Sequence, residues 1–71
     1  MVRIVVMQIG PQIRKLREKR GWTARELDRQ AGLAEGHTAL IESGKRSAPS
    51  IETVRAFAIA FGITVDAILS E

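Results

Sequence analysis

The 71-residue sequence has no cysteine, a single histidine and only three aromatic side chains, Trp22, Phe57 and Phe61. Without cysteine there is no disulfide framework and no thiolate metal site, a usage that fits a reducing, cytoplasmic setting. No two carboxylates stand in a recognisable catalytic pair, and no glycine-rich phosphate loop follows a strand. An enzyme is therefore not expected, nor a metal or other cofactor. No apolar run approaches the ~18 residues of a membrane span. The stretch Ile4-Val5-Val6-Met7 is too short for the apolar region of a signal peptide, and no small-residue cleavage site follows it. A membrane partner is not expected.

What is present is a moderate basic excess. Eleven Lys and Arg against eight Asp and Glu give a net charge of +3. That balance suits a soluble surface as well as a nucleic-acid partner. The length allows one small domain, whose core supplies about 3–5 kcal/mol, so a dimer partner would be physically useful.

The chain is organised around the stretch from Trp22 to Gly44. Thr23-Ala24-Arg25-Glu26 has the form of a capping box, in which Thr23 accepts from the Glu26 N–H and the Glu26 side chain reaches back to the Thr23 N–H. Trp22 and Leu27 are spaced as a hydrophobic staple. A helix is expected from Ala24 to Ala31, with Leu27 and Ala31 on one face, ended by Gly32. A second helix is expected from near Glu35, with Thr38 and Ile41 inward and Gly44 closing it. Two short helices about a glycine turn are a helix-turn-helix unit.

The flanks support that unit. Residues 1–8 are β-branched and apolar and read as an arm or short strand, a frayed end, or an extension ahead of a start at Met7. Pro11 marks the start of a first helix, with Ile9, Ile13 and Leu16 inward at i, i+4, i+7. Gly21 ends it, and Arg14, Lys15, Arg17, Lys19 and Arg20 form a basic run on its outer side. Ser50 caps a fourth helix whose Val54, Phe57, Ala58 and Phe61 form the core stripe, with Gly62 as its stop. Thr64 caps a last short helix carrying Val65, Ile68 and Leu69. The fold expected is all-α: a compact five-helix, repressor-like domain over residues 9–71.

Several motifs in this order resemble the Cro/CI-type family of helix-turn-helix DNA-binding domains, also called the XRE family. They are Ile13-Arg14-Lys15-Leu16-Arg17-Glu18, Gly21-Trp22-Thr23, Glu26-Leu27, Gly32-Leu33, Ile41-Glu42-Ser43-Gly44-Lys45-Arg46, Pro49-Ser50 and Gly62-Ile63-Thr64-Val65-Asp66. The resemblance implies a transcriptional regulator that binds double-stranded DNA as a homodimer. It implies phosphate contacts at the start of helix 2, on Thr23 and Ala24, and in the loop after helix 3, on Lys45 and Arg46. The positions that would face base edges are Glu35, Gly36, His37 and Leu40. Arg17 and Glu42 match a pair that ties helix 1 to the end of helix 3, a structural role.

Five positions depart from that family. Ala24 replaces a common glutamine and removes a side-chain phosphate contact. Asp28 stands where a small alanine is usual, an awkward residue for close packing of helices 2 and 3. Ala34 stands where Ser or Thr usually caps helix 3, a loss of about 1 kcal/mol. Glu35 is acidic: it could accept from a cytosine amino group, or stabilise an uncapped helix start. Gly36 carries no side chain and weakens a first helical turn by roughly 0.5–1 kcal/mol. His37 suits a base edge, a phosphate or plain solvent, and Leu40 a thymine methyl or a protein contact. An acidic, apolar helix 3 also fits a second reading, a protein-interaction module such as an antitoxin-like or accessory subunit.

Overall fold

The computed structural model describes residues 9–45 and 49–69, and there the chain is five α-helices with no strand. They are α1 (Ile9–Lys19), α2 (Ala24–Ala31), α3 (His37–Glu42), α4 (Ile51–Phe61) and α5 (Val65–Leu69). The arm or strand expected over residues 1–8 lies outside the described residues, as does Arg46.

One apolar residue set from each helix makes the core. Ile9 and Ile13 of α1 meet Leu27 of α2, Ile41 of α3 and Ile68 of α5 around the α4 stripe of Val54, Phe57, Ala58 and Phe61. Phe57 has no exposed surface, and full burial of such a ring contributes roughly 1.5–3 kcal/mol. The two phenylalanines are packing residues. Trp22 lies against this core with its ring stacked on Phe61, centroids 5.9 Å apart.

Three helix starts follow local chemistry. Thr23 Oγ1 accepts from the Glu26 N–H at 3.0 Å, Ser50 Oγ from Thr53 N–H at 3.2 Å and Thr64 Oγ1 from Ala67 N–H at 3.0 Å. The capping box at Thr23 is only half made. Glu26 turns away from the Thr23 N–H and accepts from the Gln30 amide at 2.7 Å. Gly32 and Gly62 end α2 and α4 with φ near +70°, the left-handed stop that glycine adopts without strain. Helix α1 begins at Ile9, so Pro11 sits within its first turn, where its missing N–H costs no hydrogen bond.

Helix α3 starts differently from the expectation. It begins at His37, two residues after Glu35, and Gly36 precedes it with φ +92°. Gly36 therefore does not weaken a helical turn; it makes the left-handed step that enters one. At the other side, α1 crosses the end of α3 at Gly10. A β-carbon there would lie 2.6 Å from the Ile41 carbonyl oxygen and 3.3 Å from that of Glu42. The hydrogen side chain allows the two backbones to touch.

Candidate nucleic-acid interface

Helix α3 has six residues and no side-chain cap of its own. An isolated helix of that length would not form in water. Contacts from α1 and α2 hold it.

The first support comes from α2. Asp28 is buried, and its two carboxylate oxygens divide their work. Oδ2 accepts from the Gly36 N–H and Oδ1 from the Thr38 N–H, both at 2.8 Å. These are orphan donors at the start of α3, and a charged acceptor serves them better than a hydroxyl would. This reverses the expectation for both Ala34 and Asp28. Ala34 leaves no deficit, because Asp28 does the capping across the turn. Asp28 does not loosen the α2–α3 contact but bonds it. Arg25, one turn earlier on α2, pairs with Glu35 at 3.1 Å, although both side chains are largely exposed. Glu35 thus lies outside the helix against a cation, rather than at an uncapped helix terminus.

The second support comes from α1. Arg17 Nε donates to Glu42 Oε2 at 2.8 Å and Arg17 Nη2 to Glu42 Oε1 at 3.1 Å, a bidentate pair. Arg17 Nη1 also donates to the Trp22 carbonyl at 2.8 Å. The hydrogen bond to Glu42 pushes the Arg17 pKa up, against the opposing effect of burial. A raised base contributes stability below its ordinary pKa, lost only as strongly alkaline pH passes the raised value. The pair's cation therefore stays charged through the neutral range.

With both ends held, α3 turns Thr38 and Ile41 into the core and leaves Ala39 and Leu40 exposed, with His37 half-buried. Leu40 is one of three large exposed hydrophobics among the described residues; the others, Ile51 and Ile59, are on α4. An open cleft of about 210 Å³ runs between α2 and α3, lined by Ala24, Arg25, Asp28, Glu35, Gly36 and Ala39. It brings together three expected site positions, Ala24, Glu35 and Gly36. Thr23 caps the helix bordering this cleft, and Lys45 is exposed just past the end of α3. Two cleft residues, Arg25 and Ala39, escaped the sequence reading. Asp28, which from sequence looks awkward for packing, is the residue that caps α3. Its signal was available: a carboxylate beside inward-facing Leu27, eight residues before a turn lacking its own cap.

The basic run of α1 is less free than its composition suggests. Arg17 is tied to Glu42, and Arg14 pairs with Glu18 at 3.1 Å. Arg20 donates to the Phe61 carbonyl, closing the end of α4, and its guanidinium lies 5.5 Å from the Trp22 ring centre and 5.3 Å from that of Phe61. These are cation–π contacts with a structural role. Lys15 and Lys19 make no ion pair among the described residues. No described helix is long and apolar enough to cross a membrane, and no described cluster of His, Asp and Glu would hold a metal ion.

Comparison with known proteins agrees with this architecture. Residues 8–69 match a family model described as a helix-turn-helix domain. The N-terminal DNA-binding domain of SinR from Bacillus subtilis is similar, with a TM-score of 0.83 and 28% identity over 92% of this chain and 94% of that one. SinR in complex with DNA, described as the master regulator for biofilm formation, gives 0.81 and 27% over 87% of this chain and 98% of that one. A hypothetical transcription factor, NHTF, from Neisseria shares the fold, with a TM-score of 0.82 at 23% identity over 92% of this chain and 74% of that one. No curated protein matches the sequence. The family match spans all five helices and the turn that Asp28 secures: the chain belongs to the helix-turn-helix domain family.

Proposed function

We propose that this chain is a sequence-specific, repressor-like regulator of transcription that binds double-stranded DNA as a homodimer in the cytoplasm, on its own promoter or an adjacent one. The observation that carries the reading is the presentation of α3. A short helix, held from behind at both ends, turns an exposed face outward beside the start of α2 and the cation Lys45. A helix of that kind fits the major groove, while the preceding helix meets the backbone through its N-terminal N–H groups. The similar SinR is solved with DNA, which supports the same use here.

In this reading Lys45, Arg46, Thr23 and the Ala24 backbone meet phosphate. His37 and Leu40, one turn apart on α3, face base edges, and Leu40 meets a thymine methyl. Glu35 and Gly36 lie in the preceding turn and contribute less. Base contacts are few, so affinity rests on phosphates and falls steeply with salt. Two copies would address half-sites about one helical turn, ~34 Å, apart.

Fluorescence anisotropy of a labelled generic duplex at low and moderate salt tests the reading. Binding that weakens steeply with salt is expected, and no binding at low salt would remove it. A footprint on the DNA upstream of the coding sequence then reports half-site spacing. A second reading, a protein-interaction module on the same fold, draws on the acid at Glu35 and the exposed Leu40. SinR is also solved in a complex with SinI. Retention of a partner protein with no duplex binding would favour it.

A further inference from the structure

We infer that Asp28 is a positioning residue for DNA recognition: it sets where the reading helix begins and so which side chains reach the bases. This rests on the DNA-binding reading above. Asp28 belongs to α2, yet both its oxygens are spent on the backbone of the α2–α3 turn, at Gly36 and Thr38. Those two bonds bracket His37. They hold Gly36 in its left-handed step and make His37 the first residue of α3. Glu35 is thereby left two residues outside, where the exposed Arg25 of α2 pairs with it at 3.1 Å. Arg25 and Asp28, three residues apart on α2, clamp the whole entrance to α3.

The alternative start is visible in the sequence. A cap at position 34 would begin the helix at Glu35 and place Glu35 and Gly36 in its first turn. Ala34 has no side-chain oxygen to do this, and Asp28 enforces the later start. The clamp thus removes an acid from the groove-facing turn and puts His37 and Leu40 forward together. No substitution on α3 itself is needed to alter the readout; a change at a buried residue of the neighbouring helix suffices.

Asp28→Asn tests the inference. The amide keeps one acceptor and turns an N–H₂ toward a backbone donor, so one of the two bonds is lost. It also removes a negative charge. If Asp28 acted only through the long-range field, the variant would bind every duplex more tightly. The clamp gives the opposite sign for specific DNA. The probes are a duplex selected from a random pool by the wild-type chain, and a shuffled duplex of the same composition. Affinity for the selected duplex should fall about tenfold, the factor lost with one misplaced base contact. Affinity for the shuffled duplex should hold or rise. Affinities are referred to the folded fraction from circular dichroism melts.

Amide hydrogen exchange keeps the test independent of DNA. Gly36 and Thr38 N–H should exchange slowly in the wild-type chain and faster in Asp28→Asn, while the Glu26 N–H capped by Thr23 stays unchanged. A folded Asp28→Asn that keeps wild-type preference for the selected duplex overturns the positioning role. Unchanged exchange at Gly36 and Thr38 overturns the clamp itself. If the wild-type chain binds neither duplex, the DNA-binding reading falls, and with it the recognition role of Asp28, while the exchange data still judge the clamp.

Discussion

Helices α3 and α4 are neighbours in the chain and opposites in how they are made. Helix α4 carries its start and stop signals locally: eleven residues, Ser50 at its start, Gly62 at its stop and a four-residue apolar stripe into the core, with Arg20 the one distant residue that bonds its end. Helix α3 has six residues, no side-chain cap of its own and two buried residues. Its supports come from elsewhere, from Asp28 across the turn and from Arg17, twenty-five residues away in sequence. A short helix with one face exposed has few residues left to anchor it, so anchoring passes to its neighbours. Most helical stability in proteins is tertiary in this sense, and α3 is an extreme case.

That contrast can be broken first at the scaffold. Phe57→Ala empties the fully buried centre of α4. The expected cost, about 3–5 kcal/mol, is comparable with the whole stability of a domain this size. Urea titration followed by circular dichroism should show no cooperative transition; a retained transition would mean that α4 is not the scaffold. Next is the remote anchor of α3. Glu42→Ala removes both carboxylate acceptors of Arg17, leaving only the Trp22 carbonyl, and should cost about 1.5–3 kcal/mol in the same titration. A loss below about 0.5 kcal/mol would show that α3 stands without the bridge. The local anchor of α4 is smaller: Ser50→Ala should cost about 1 kcal/mol.

The smallest effect is expected inside α3 itself. Thr38 Oγ1 is buried with no hydrogen-bond partner among the described residues. Thr38→Val keeps the shape and removes an unpaired polar atom, so stability should stay level or rise by about 1 kcal/mol. Anisotropy with the selected duplex should be unchanged, since the side chain faces inward. A clear loss of stability would reveal a partner for that hydroxyl.

The same division separates what the sequence makes legible from what it hides. Thr23, Gly32, Ser50, Gly62 and Thr64 announce helix ends because each acts within three or four residues of itself. The inward faces of α2, α3 and α4 are legible for the same reason, as apolar periodicity. The start of α3 is not, because its cap is eight and ten residues upstream and its glycine looks like a weakness until its φ is known. Arg20 reads as one more solvated cation. Only the fold brings Trp22 and Phe61 beneath it. The site was legible as a stretch of chain, while the bonds that orient it are tertiary.

Gly10 extends this lesson to the far side of the molecule. There α1 rests its backbone directly on the last residues of α3, with room for a hydrogen atom and nothing larger. Adding even one methyl would force α1 and the end of α3 apart, with no change to the identity of any outward-facing residue. The seat of α3 is therefore fixed in part by a buried residue of α1 that no survey of the surface would reveal.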